Sequence, residues 1–182
     1  MGKKYDRINQ RLQDFIERQK IFFTATAASE GRINLSPKGM DTFRVLDSNR
    51  VMWLNLTGSG NETAAHLLQN DRITIMFCAF EGVPMILRLY GRAVAYHPGD
   101  AEFDKYIGLF PEIAGTRQLF DVAVELVQTS CGMGVPLMDF RQHRDELRTW
   151  AEELGEDGIA DYQERKNQSS IDGLPTRLPV KN

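Results

Sequence analysis

The stretch Asn55-Leu56-Thr57-Gly58-Ser59-Gly60-Asn61-Glu62-Thr63 joins the end of an apolar run to small, polar and flexible residues. Gly58 and Gly60 carry no Cβ, so the backbone there can approach a ligand closely. Ser59 or Asn61 can cap a helix that starts at this turn. A helix start offers unpaired N–H groups to an anion. The chemistry expected is capture of a phosphate-bearing small molecule. The same residues also read as an ordinary capped helix following a strand, with no ligand at all.

Two further groups carry charge suited to an anion. In Asn34-Leu35-Ser36-Pro37-Lys38, strand alternation puts Asn34, Ser36 and Lys38 on one face. They would line a ligand groove, or form a solvated edge strand, which Pro37 suits. Arg88 and Arg92 share a face of a later strand. Such a pair grips phosphate in a fork, or simply covers the sheet surface. A dinucleotide-binding Rossmann unit is not expected, because Thr63 stands where the third glycine should be and the preceding strands are hairpin-linked. His66, His97 and His143 lack metal-ligand spacing with one another or with Cys78 and Cys131, so no metal is expected. Nothing near Cys131 in sequence would lower its pKa, and it is read as a buried structural thiol. Trp53 and Tyr90 are read as packing residues rather than as stacking partners for a ring. No catalytic acid or base stands out.

The elements that must position these groups follow from hydropathy patterning. Ile8, Leu12, Phe15 and Ile16 fall on one face of a helix over residues 5–18. Strands are expected at 21–27, 33–38, 43–46 and 51–56, joined by turns of hairpin length. A short helix over 61–70 follows, then a strand over 72–80 that is apolar on both faces and therefore covered. Further strands are expected over 85–96 and 121–129, with a helix over 101–109 between them. Helices over 141–153 and 157–166 and an extended, proline-containing tail complete the chain. Hairpin-length links argue for an antiparallel sheet, and closure into a small barrel would remove its edges. Residues 1–140 are read as the barrel domain, and 141–182 as a helical extension packed on it.

Composition limits the partners. The chain has 182 residues, 42% hydrophobic and 26% charged, which suits one domain with a real core. Its net charge of −3 provides no basic footprint for nucleic acid. No run approaches a membrane span, and Met1 to Asp6 leads into a polar helix rather than an apolar signal region. A cytoplasmic protein with two free thiols is expected.

Several of these segments resemble the pyridoxamine-phosphate oxidase-like, FMN-binding split-barrel superfamily. They are Ile33 to Gly39, Trp53 to Thr63, Ala65-His-Leu-Leu68, Ile75 to Phe80 and Leu87 to Arg92. Ser130 to Pro136 and Lys166 to Pro175 match a bacterial subgroup related to the oxidase. The resemblance runs from about residue 10 to 175. It implies a mainly β fold with flanking helices: a six-stranded antiparallel split barrel that forms a homodimer with FMN at the interface. By the same resemblance, Asn34 to Lys38, Leu56 and Thr57 contact the flavin, and Asn61, Glu62 and Thr63 form the phosphate segment. Asn55 joins the ring contacts, Gly58 to Gly60 join the phosphate segment, and Arg88 or Arg92 serves as the charge partner.

The sequence also departs from the family pattern. Oxidases of this family carry Ser-Arg-Lys at that helix start, where this chain has Asn61-Glu62-Thr63. Glu62 repels a dianion unless its carboxylate points away. The oxidase's C-terminal substrate motif is also missing after Arg177-Leu178. The expectation is therefore an FMN-dependent oxidoreductase acting on an unidentified small molecule, and not the vitamin B6 enzyme. The alternative is a non-catalytic module that carries a flavin, a deazaflavin or haem.

Overall fold

The computed structural model describes residues 2–180. Eight strands form one antiparallel sheet: β1 (Lys3–Tyr5), β2 (Phe22–Thr26), β3 (Asn34–Lys38), β4 (Phe43–Asp47), β5 (Arg50–Leu56), β6 (Arg72–Cys78), β7 (Ile86–Tyr96) and β8 (Thr116–Ser130). The spatial order is β3-β2-β6-β7-β8-β5-β4, with β1 added along β8. The flanking helices are α1 (Gln10–Arg18), α2 (Glu62–Leu67), α3 (Ala101–Tyr106) and α4 (Glu146–Lys166).

Among the described residues eight strands are present, where the family resemblance implies six. The strand that hydropathy patterning does not anticipate is β1, which lies where the amphipathic helix is expected to begin. Asn9 instead caps α1, its side chain accepting from the Leu12 N–H, so the chain before it is free to pair with β8. The other boundary that moves is the start of β8, which begins at Thr116 rather than Asp121. Its first residues pair with β5, Asn55 facing Gln118 and Trp53 facing Phe120. That shift places Arg117 inside the sheet.

The sheet curls around an aromatic core. Phe22 of β2 and Phe43 of β4 meet edge to face at 4.9 Å, although their strands lie far apart in the sheet order. Phe43 also meets Phe77 at 5.1 Å, and Trp53 stacks on Phe120 at 4.5 Å. These contacts exclude water from the interior of the curl and hold it shut by burial rather than by hydrogen bonds. Among the described residues no ladder joins β3 to β4, so both remain sheet edges. Trp53 belongs to this core, as expected, and Tyr90 donates to Gln128 Oε1 at 3.1 Å.

The two expected C-terminal helices form α4, broken at Gly155, whose φ of 65° and ψ of 179° leave the helical region. Glycine adopts that conformation without a steric penalty. The break turns the second half back, so that the Trp150 and Tyr162 rings meet at 5.0 Å. In a straight helix those residues would stand roughly 18 Å apart. Beyond α4 the tail is not extended throughout. It reverses over Ser170–Leu174, where the Ser170 N–H donates to the Leu174 carbonyl at 2.8 Å. Cys131 is exposed, contrary to the expected buried thiol, because it lies where β8 gives way to an open loop. No helix among the described residues is long and apolar enough to cross a membrane.

Candidate functional site

Three segments separated in sequence meet in one cleft of about 300 Å³. Its walls are Ser36 to Lys38 from β3, Asn55 and Leu56 from β5, and Gly58 to Thr63 from the turn and the start of α2. Arg117, near the start of β8, completes it. The alternation expected of β3 is present: Asn34, Ser36 and Lys38 are half-buried, while Leu35 and Pro37 are exposed. Asn34 stands behind the cleft and ties β3 to α2. Its Nδ2 donates to Thr26 Oγ1 at 3.2 Å and to Thr63 Oγ1 at 3.1 Å, and its Oδ1 accepts from Ser36 Oγ at 2.8 Å.

Asn61 occupies the N-cap position of α2, but its side chain makes no cap hydrogen bond. It is buried and serves the sheet instead, accepting from Gln118 Nε2 at 3.1 Å. Ser59, the other expected cap, does not occupy the cap position. Thr57 is also buried, its Oγ1 accepting from Gln163 Nε2 of α4 at 2.8 Å. Glu62 has its carboxylate turned to the tail, where both oxygens accept from the Ile171 N–H, at 3.0 and 3.2 Å. The acidic group at the helix start is therefore engaged by a main-chain donor.

Arg117 dominates the electrostatics of the cleft, and it is not among the residues expected there from sequence. Only 3% of the residue is exposed. Its Nη1 donates to the Gly60 carbonyl at 3.1 Å and to Asn167 Oδ1 at 2.6 Å, while its Nε is buried with no hydrogen-bond partner. Among the described residues no carboxylate forms an ion pair with it. Burial holds its pKa down to about 10, opposed by Tyr162. Lys38 also has its pKa lowered, to about 8, first by burial and then by the neighbouring Arg117 charge. Two cations thus line one cleft, and among the described residues neither has an ion-pair partner. An uncompensated buried charge is costly, and a bound anion would relieve that cost.

Arg88 and Arg92, the cations expected at this site, are elsewhere. Arg88 donates to Ser130 Oγ at 3.1 Å. Arg92 is held by Glu125 at 2.9 Å and Asp71 at 2.6 Å, so two carboxylates already answer its charge. Neither lines the cleft. The sequence signal for Arg117 is the run Thr116-Arg-Gln-Leu-Phe120 directly ahead of an apolar strand, which extends that strand and carries a cation into it.

A protein-family model described as pyridoxamine 5'-phosphate oxidase matches residues 8–131, which include every wall of the cleft. The pyridoxamine 5'-phosphate oxidase family protein ustO of Aspergillus flavus is 36% identical over 190 residues, covering 94% of this chain and 76% of that one. Among solved structures, HupZ from Group A Streptococcus superposes with a TM-score of 0.51 at 23% identity, over 65% of this chain and 91% of that one. A pyridoxamine 5'-phosphate oxidase homologue from Lactobacillus delbrueckii gives a TM-score of 0.54 at 14% identity, over 68% and 94%. The structural likenesses establish the fold, and the family match with the fungal relative establishes kinship: this chain belongs to the pyridoxamine 5'-phosphate oxidase family.

Proposed function

We propose that this protein is a homodimeric flavoprotein that binds FMN non-covalently and acts as an oxidoreductase on a small molecule other than pyridoxamine phosphate. One observation carries the reading: the buried guanidinium of Arg117, with its Nε unpartnered and no carboxylate beside it, lines the cleft at the glycine turn. A buried cation in that state suits a dianionic phosphate, which accepts several charge-assisted hydrogen bonds. Lys38 of β3 supplies a second positive charge to the same cleft. Gly58 leaves open space where a Cβ would stand, so the turn is accessible to a ligand.

The cleft's volume of about 300 Å³ lies at the lower end of the ~300–1,000 Å³ typical of ligand sites. It suits the phosphate and part of the ribityl chain, and the flavin ring would extend past it. A second subunit would then supply the remaining wall. Ile33 and Leu35, 77% and 65% exposed beside the inward face of β3, provide apolar surface for such a contact. When bound, the flavin supplies the electron chemistry, and the protein supplies orientation and exclusion of water. In this reading Arg117 and Lys38 hold the phosphate, while Ser36 and Asn55 border the path of the ring.

The test is the visible spectrum of the purified protein, followed by titration with FMN. Flavin absorbance, or saturable uptake of FMN at micromolar concentration, is expected. A colourless protein that takes up no FMN would contradict the proposal. Turnover with NAD(P)H and screened acceptors separates an oxidoreductase from a flavin carrier.

A further inference from the structure

Asn167, at the C-terminal end of α4, lies beyond residues 8–131 that the family model matches, and it is fully buried and inserted between Arg117 and the glycine turn. Its Oδ1 accepts from Arg117 Nη1 at 2.6 Å, and its Nδ2 donates to the Gly58 carbonyl at 3.0 Å. Its own carbonyl accepts from Thr176 Oγ1 at 2.6 Å, so the returning tail fixes it from behind. Its N–H donates to the Gln163 carbonyl at 2.9 Å.

This position demands one acceptor and one donor on a planar group. A flipped amide would set N–H against guanidinium and oxygen against the Gly58 carbonyl, losing both bonds. A carboxylate would satisfy Arg117, yet it would face the Gly58 carbonyl with a second acceptor and cancel the guanidinium charge. A neutral amide orients the guanidinium and leaves its charge available.

We propose that Asn167 is the positioning residue of the anion site, holding the Arg117 guanidinium and the Gly58–Gly60 turn in register while leaving that positive charge unspent for a phosphate. The proposal rests on the reading of the cleft as an FMN phosphate site. It assigns the C-terminal segment a role beside the barrel residues, because the guanidinium is held from the barrel by the Gly60 carbonyl and from the end of α4 by Asn167.

The experiment compares FMN with riboflavin, which lacks the phosphate, in the wild-type protein and in Asn167→Asp. The substitution keeps the shape of the side chain and brings a negative charge to Arg117. FMN affinity should fall at least roughly tenfold, as a charge placed a few ångströms from the phosphate would require, while riboflavin affinity stays within about twofold. A purely structural role would move both ligands together. Thr176→Val, which removes the shorter of the two hydrogen bonds to the Asn167 carbonyl without changing any charge, should weaken FMN several-fold and riboflavin little; this variant decides the matter if Asn167→Asp does not fold. Wild-type protein that binds FMN, together with variants that bind it equally well or that lose both ligands equally, would overturn the role of Asn167. Wild-type protein that binds no FMN would instead overturn the underlying reading of the cleft.

Discussion

Arg117 is the residue on which the proposed anion site turns. Replacing it with Met removes the buried charge along with two hydrogen bonds, so the effects on folding partly cancel, to within about 2 kcal/mol. FMN affinity should nevertheless fall by at least an order of magnitude; a thermal melt beside a fluorescence titration measures both. Lys38 provides a pH test. Its pKa is about 8 in the folded protein against an ordinary 10.5, so the unfolded chain holds more protons between those values. Stability should therefore rise with pH across that window, the penalty being full below about 8 and absent above about 10.5. Binding of an anion favours the ammonium form, so FMN binding should take up a proton near pH 8 and weaken as pH climbs from about 7 to about 9. Lys38→Arg should flatten that profile, and an unchanged slope would remove Lys38 from the site.

At the scale of elements, the strands β3 and β5 and the glycine turn are legible in sequence because their signals are local: alternation, an apolar run and glycines. The cation is not, since Arg117 bonds to residues 57 and 50 positions away, and local patterning cannot foresee such partners. Alternation likewise shows that Arg88 and Arg92 share a face, but not that Asp71 and Glu125 would meet Arg92 there. The orientation of Glu62 depends on Ile171, which is 109 positions distant. The β7–β8 pair illustrates how sharply the sheet constrains its own geometry. Its register shifts between Tyr90 and Gly91, and a Cβ on Gly91 would stand 2.1 Å from the Ala123 carbonyl oxygen. Gly91→Ala should cost roughly 1–3 kcal/mol on denaturant unfolding, while the fraction that remains folded binds FMN normally. A melt unchanged by that substitution would mean that β7 and β8 pack less closely there.

At the scale of the whole molecule, a curled sheet with unpaired edges presents the cleft on one rim, and the tail reaches across to that rim. The tail is attached at Glu62–Ile171 and at the Arg32–Asp172 ion pair. Two copies meeting beside β3 would complete the wall that a flavin ring needs. Leu35→Asp should therefore shift sedimentation from dimer to monomer and weaken FMN binding in parallel; a protein that sediments as a monomer before any substitution would refute the shared wall. The central claim, that the buried Arg117 guanidinium holds a phosphate, is tested most directly by paired titrations of the wild-type protein with FMN and with riboflavin. FMN should bind at least roughly a hundredfold more tightly, as two charge-assisted contacts to the phosphate would give, and added salt should narrow the gap. Equal affinities for the two would contradict it.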